Sequence, residues 1–141
     1  MQIHPYLFFD GRCEEAIAFY RQALDAEVLM LMHYADGPQG SGCPEGAMPP
    51  GDKVMHASLR IGDAQLMVSD GFSRGQPQFA GTALSLTLAD DAEAARRFAA
   101  LADGGQVKQP LAPTFFASSF GMLEDRFGVP WMLVVPVPPP G

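Results

Sequence analysis

The hydrophobic pattern is clearest over Val54–Asp70, VMHASLRIGDAQLMVSD, where apolar and polar residues alternate on both sides of Gly62-Asp63. A short Gly-bearing loop between two alternating runs predicts a β-hairpin. Setting Ile61 across from Ala64 pairs Arg60 with Gln65, Leu59 with Leu66, Ser58 with Met67, Ala57 with Val68 and His56 with Ser69. Successive side chains of a strand point to opposite faces, so this register sorts the hairpin into two sets. Ala57, Leu59, Ile61, Ala64, Leu66 and Val68 make an apolar face that calls for a helix over it. His56, Ser58, Arg60, Gln65, Met67 and Ser69 make the other. That second face is too polar for a dry core and suits a binding concavity.

The remaining chain supplies the partners of this hairpin. Ile3–Phe9 reads as a short strand, with Pro5 tolerated near its start. Asp10-Gly11 offers an N-cap for a helix to Leu24 that buries Ala16, Ile17, Tyr20 and Leu24, flanked by Phe19 and Ala23. Glu27–Tyr34 is an apolar strand after a break at Asp25-Ala26. Ala35–Lys53, rich in Gly and Pro, is a long loop that serves as a mobile flap near a cavity mouth or as a connector, with Met48 and Cys43 unburied. Gly71–Gly81 is a second connector. Thr82–Leu88 then alternates as a strand, and Asp90-Asp91 begin a helix to Ala102 with Ala95, Phe98, Ala99 and Ala102 on its buried stripe, closed by Asp103-Gly104-Gly105. Gln106–Phe116 is a strand interrupted by Pro110 and Pro113. Ser118–Glu124 and Pro130–Val135 form a last hairpin around Asp125–Gly128, before a Pro-rich, extended tail. Each half therefore reads strand–helix–strand–strand–strand, a unit too small to bury its own apolar face. The expected architecture is α+β: one domain over residues 1–141 made of two tandem βαβββ modules, about 1–70 and 82–136, with helices on the outer faces.

Composition narrows the function classes. A chain of 141 residues that is 48% hydrophobic can build a real core. Its formal charge of −7 argues against a nucleic-acid groove or an anionic membrane surface, which need clustered Lys and Arg. No apolar run approaches a membrane span, and MQIHPYLFFDG lacks the basic start and apolar core of a signal peptide, so a cytoplasmic location is expected. Cys13 and Cys43 show no CxxC spacing and read as free, reduced thiols.

YLFFDGRCEEAIAFYRQAL, HASLRIGDAQLMVSD and GMLEDRFGVPWML, in this order, resemble the PhnB-like branch of the glyoxalase/bleomycin-resistance/dioxygenase superfamily, the vicinal oxygen chelate fold. The resemblance implies curved mixed sheets enclosing a cavity, and commonly a homodimer. A methyltransferase description is common in this branch, yet the chain carries nothing like the Gly-rich strand-to-helix turn of a Rossmann methyltransferase. The superfamily's metalloenzymes hold a metal on the inner sheet faces. Carried over by motif, the first-strand ligand position falls on Pro5, with His4 one place off and facing away. The hairpin positions fall on Gln65, Met67 and Ser69, and the fifth-strand positions on Ser85 or Thr87, or on Leu84 if the register slips. The last-strand position falls on Met132. A catalytic divalent site needs about three protein ligands around an open position. The usual ones are missing, so no metal and no other cofactor is expected.

The expected site is therefore a small-molecule pocket lined by His56, Ser58, Arg60, Gln65, Met67 and Ser69, with Met132 and Val134 from the second module. His56 is the candidate catalytic residue, since imidazole titrates near neutrality. Its alternative, weighted above that one, is a histidine satisfied by a neighbour such as Ser69. Arg60 reads either as a clamp for an anionic ligand or as a solvated side chain near the turn. His4 and His33 read as structural, Trp131 as core with Leu133 and Val135, and Asp125 as the residue that fixes the turn before Gly128. Two functions follow: a metal-free small-molecule-binding protein, or an enzyme using His56 or an atypical metal site.

Overall fold

The structure, a computed structural model, describes residues 1–36, 51–71 and 78–137. The chain divides into two compact units, Met1–Pro77 and Gln78–Gly141. Among the described residues each contains a four-stranded mixed sheet and one α-helix, in the α+β order the alternation predicts, and the first unit adds a short 3-10 turn at Tyr34–Asp36. The Ala35–Lys53 flap lies outside the described residues from position 37 to position 50, Cys43 and Met48 included, as do positions 72–77 of the second connector.

In the first unit β1 (Tyr6–Phe8), α1 (Cys13–Leu24), β2 (Glu27–His33), β3 (Val54–Ile61) and β4 (Ala64–Ser69) give a sheet of order β1-β4-β3-β2. The hairpin register is the expected one, from Ala57↔Val68 to Ile61↔Ala64. β1 joins β4 in parallel, with Tyr6 beside Met67 and Phe8 beside Ser69. It is shorter than Ile3–Phe9 because Pro5 has no N–H to give the ladder; its carbonyl still accepts from Met67 N at 3.0 Å. α1 buries Cys13, Ala16, Ile17, Phe19, Tyr20, Ala23 and Leu24, the expected stripe with Cys13 added. Asp25, at φ 53°, ends the helix in the left-handed conformation.

The N-terminus of α1 corrects the sequence reading. Asp10 and Gly11 both take positive φ and do not cap the helix, and Arg12, in the cap position, makes no side-chain capping bond. The carboxylate of Asp70 caps from across the sheet. Its Oδ1 accepts from Gly11 N at 2.7 Å and Cys13 N at 2.9 Å, while Oδ2 accepts from Val54 N at 2.8 Å. One buried side chain thus ties the helix start to the first residue of β3.

The second unit runs β5 (Leu84–Thr87), α2 (Asp91–Ala102), β6 (Gln106–Ala112), β7 (Ala117–Glu124) and β8 (Pro130–Pro136), with sheet order β5-β8-β7-β6. Asp90 caps α2, its side chain accepting from Glu93 N at 2.7 Å. The buried stripe is Ala94, Phe98 and Leu101; Ala95 and Ala99 are exposed and Ala102 half-buried. The expected stripe was one position out of phase, because a run of alanines gives no contrast and Leu101 sets the phase instead. β6 ends before Pro113, and Pro110 is tolerated because β6 is an edge strand with an irregular register between Gln109 and Ala112. Asp125 fixes its turn as expected: Oδ1 accepts from Phe127 N at 2.9 Å and Val129 N at 3.1 Å. Its Oδ2 accepts from the indole N–H of Trp131, which is buried alongside Leu133 and Val135.

Leu59 is fully buried on the helix side of the first sheet. Leu59→Ala should cost about 2–5 kcal/mol in denaturant unfolding, the usual range for truncating a core leucine. His56→Ala, on the opposite and partly exposed face, should leave stability nearly unchanged. A reversed ranking would show that the two faces are swapped.

Candidate functional site

The face of the first sheet opposite Leu59 gathers His56, Ser58 and Arg60 from β3 with Gln65 and Met67 from β4, as the register requires. The neighbouring strands extend it. On β2, Met32 stands opposite His56 and Met30 opposite Ser58. On β1, Tyr6 reaches across β4, and its hydroxyl hydrogen-bonds Nδ1 of His56 at 2.9 Å. The Tyr6 ring tilts against the imidazole with centroids 5.5 Å apart, and stacks on Phe8 at 4.9 Å. Tyr6 is 38% exposed and Phe8 54%, far more than an aromatic pair in a core.

Each expected site residue can be placed. His56 is satisfied by a neighbour, but that neighbour is Tyr6; Ser69 accepts instead from Gly71 N at 3.0 Å and is buried. Ser58 is buried, Met67 half-buried and Gln65 exposed. Arg60 forms an ion pair with Glu27 of β2, so its positive charge is already matched. Met132 and Val134 lie in the second unit, on the β8 face they share with Met122 and Phe120 of β7, and both are half-buried.

Pro5, the first-strand position carried over from the resemblance, precedes β1, and Tyr6 is the β1 residue whose side chain meets His56. Sequence reasoning missed Tyr6 because parallel pairing of β1 with β4 leaves no hairpin signal to fix its register. Its only trace is the alternation of Tyr6 and Phe8.

Among the described residues, no group of three or more His, Cys, Asp or Glu side chains is arranged to hold a metal ion. The hairpin and second-unit positions carried over from the resemblance hold an amide at Gln65, thioethers at Met67 and Met132 and hydroxyls at Ser69, Ser85 and Thr87, in place of the imidazoles and carboxylates that a catalytic divalent site uses. The hydrogen bond to Tyr6 leaves Nε2 of His56 as the group that a ligand would meet. It is a donor if the hydroxyl donates to Nδ1, and an acceptor if Nδ1 carries the proton.

The other titratable candidates are structural. His4 hydrogen-bonds Gln2 at 3.3 Å. Cys13 is a buried free thiol; burial pushes its pKa far up, the charge of Asp70 adds to this, and Glu14 adds further. With no thiolate at neutral pH it is a poor nucleophile. His33 is held at both ring nitrogens, by Glu14 of α1 at Nε2 and by Asp36 at Nδ1. The Glu14 hydrogen bond raises its pKa most, burial opposes this, and the charges of Glu14 and Asp36 raise it further above the usual 6.5. A raised folded-state pKa stabilises the fold fully below the unfolded value, and that contribution fades as pH rises through the folded one. The Tm advantage of the native chain over His33→Gln should therefore be largest below pH 6.5 and shrink above it. The effect is small, since the pair is solvent-accessible. A gap that widens with rising pH would contradict this assignment.

A family model described as "3-demethylubiquinone-9 3-methyltransferase" matches residues 1–134. Protein YjdN of Escherichia coli is 36% identical over 140 residues, covering 96% of this chain and 95% of that protein. The chain belongs to the PhnB-like family. Among solved structures, protein PA1353 from Pseudomonas aeruginosa is 42% identical with a TM-score of 0.82, covering 96% of this chain and 98% of that one. The PhnB protein from Bacillus cereus is 26% identical with a TM-score of 0.79, covering 96% and 99%. A fosfomycin resistance protein, FosX from Mesorhizobium loti, shares the fold at 14% identity and a TM-score of 0.64, with 97% and 92% covered. The last of these likenesses is one of fold, and the βαβββ order of each unit is consistent with it. Among the described residues neither unit contains the parallel doubly wound sheet that a Rossmann methyltransferase would need.

Proposed function

We propose that this PhnB-like chain is a small-molecule-binding protein that takes its ligand without a protein-held metal, on the open face carrying His56, Ser58, Gln65 and Met67. The observation that carries this reading is the Tyr6–His56 hydrogen bond. It orients a polar ring among methionines and exposed aromatic side chains. A mostly apolar surface with a few oriented polar groups is the usual composition of a small-molecule site. Arg60 and Ser69 support the face from their own internal bonds, and in the second unit Met132 and Val134 make a half-buried row of their own on β8. A thermal-shift screen of metabolites and antibiotics should find a ligand whose stabilisation is lost in His56→Ala. Stoichiometric divalent metal that survives dialysis of the purified protein would overturn the metal-free reading.

The same hydrogen bond favours a second reading, an enzyme in which His56 acts as general base with Tyr6 fixing the imidazole. Turnover of a screened ligand, abolished by His56→Ala, would select it. We further propose a cytoplasmic homodimer, as the family resemblance suggests. Among the described residues no helix is long and apolar enough to cross a membrane. Light scattering at micromolar concentration should give about twice the 15.1 kDa chain mass. A single monomeric species would reject the dimer.

A further inference from the structure

We infer that the ligand of this face is an uncharged, flat aromatic molecule, stacked against the exposed Tyr6–Phe8 pair and hydrogen-bonded to Nε2 of His56. The inference rests on the binding reading above and narrows it to a chemical class. Phe8 and Tyr6 of the edge strand β1 and His56 of β3 form a row of rings that crosses β4, with centroid spacings of 4.9 Å and 5.5 Å. Phe8 is held against the backbone of Gly71, where an added Cβ would lie 3.1 Å from its ring. A ring so placed, with more than half its surface exposed, offers a π-face that a saturated ligand uses poorly.

Charge decides the rest. Among the described strand residues of this face, the cation is Arg60 and the carboxylate is Glu27, and these two pair with each other. Among these described strand residues an anion would find its one cation already paired, in a chain whose net charge is −7. A cation would find Glu27 already shared with Arg60. An uncharged ring with one hydroxyl satisfies the face as it stands, because Nε2 can accept from that hydroxyl or donate to it.

The test is an NMR titration of the full 15N-labelled chain at neutral pH with four probes of one shape: 2-naphthol, 2-naphthoate, 2-naphthylmethylammonium and decahydro-2-naphthol. The expected result is binding of 2-naphthol with shifts at Tyr6, Phe8 and His56, and about tenfold weaker binding of the other three. Phe8→Ala should weaken 2-naphthol about tenfold, and Tyr6→Phe should weaken it several-fold by releasing the imidazole. If Phe8→Ala fails to fold, Phe8→Leu keeps the bulk and removes the π-face. Equal or tighter binding of a charged or saturated probe overturns the inference, as does 2-naphthol binding that leaves these three residues unshifted, or none at millimolar concentration. A screened ligand lost in His56→Ala but insensitive to Phe8→Leu would sink this inference while leaving the binding reading intact.

Discussion

Asp70→Ala should leave the protein largely unfolded at 37 °C, or lower its Tm by more than about 10 °C. The side chain is 2% exposed and accepts from three backbone N–H groups, those of Gly11, Cys13 and Val54. Removing it strands three donors, one of them at the start of α1 and two of them buried. A buried donor without a partner costs about 1–3 kcal/mol, so the two buried donors alone lose on the order of 2–6 kcal/mol. That is a large part of the whole stability of a small domain, about 5–15 kcal/mol. Asp70→Asn separates charge from hydrogen bonding, since one oxygen survives while an NH₂ faces a backbone donor; it should fall between the native chain and the alanine variant. A Tm within about 3 °C of the native value for Asp70→Ala would mean that water takes over the three bonds. The connection from the end of β4 to the start of α1 would then matter far less than its geometry suggests.

Asp70 also marks the limit of what the chain discloses on its own. The hairpin around Gly62 was legible because two alternating runs and a glycine at φ 57° leave one register that keeps the apolar residues together. Helix α1 was legible through its mixed large side chains, whereas in α2 the alanines hid the phase. What stayed hidden depended on contacts distant in sequence. Gly11 and Asp70 are 59 positions apart, and Asp10-Gly11 supplied a plausible local cap that the backbone declines. Tyr6 and His56 are 50 positions apart, joined through a parallel strand pair with no turn to announce it. His56 was therefore found from its strand parity, and the residue that orients it was not. Arg60 shows the same limit: its face was readable, but its neutralisation by Glu27 required the pairing of β2 with β3. Local alternation thus reveals which residues share a face, and long-range pairing decides which of them remain available to a ligand.

Gly105→Ala should be the most damaging small substitution in the second unit, costing more than about 4 kcal/mol in denaturant unfolding. Gly105 lies between the end of α2 and the first residue of β6, its N–H donating to the Ala102 carbonyl at 2.9 Å. A Cβ there would stand 2.1 Å from the Glu124 carbonyl oxygen, and 2.8 Å and 2.9 Å from the Asp125 carbonyl carbon and Cα. All three obstacles are backbone, so no rotamer change relieves them. The strands must separate at Gln106↔Glu124, where the β6–β7 ladder starts, and Asp125 must move with them. Asp125 in turn holds Phe127, Val129 and the Trp131 indole, so the strain reaches the buried end of β8. Gly62→Ala is the matched control. Nothing lies within 4 Å of its added Cβ, but φ is +57°, so only the conformational penalty remains, about 1–2 kcal/mol. The gap between the two variants measures the close approach of the chain at Gly105 separately from glycine's backbone freedom. If Gly105→Ala proves no worse than Gly62→Ala, the β6–β7 start must be free to spread without cost, and the tight packing of Gly105 against Glu124 and Asp125 carries no stability.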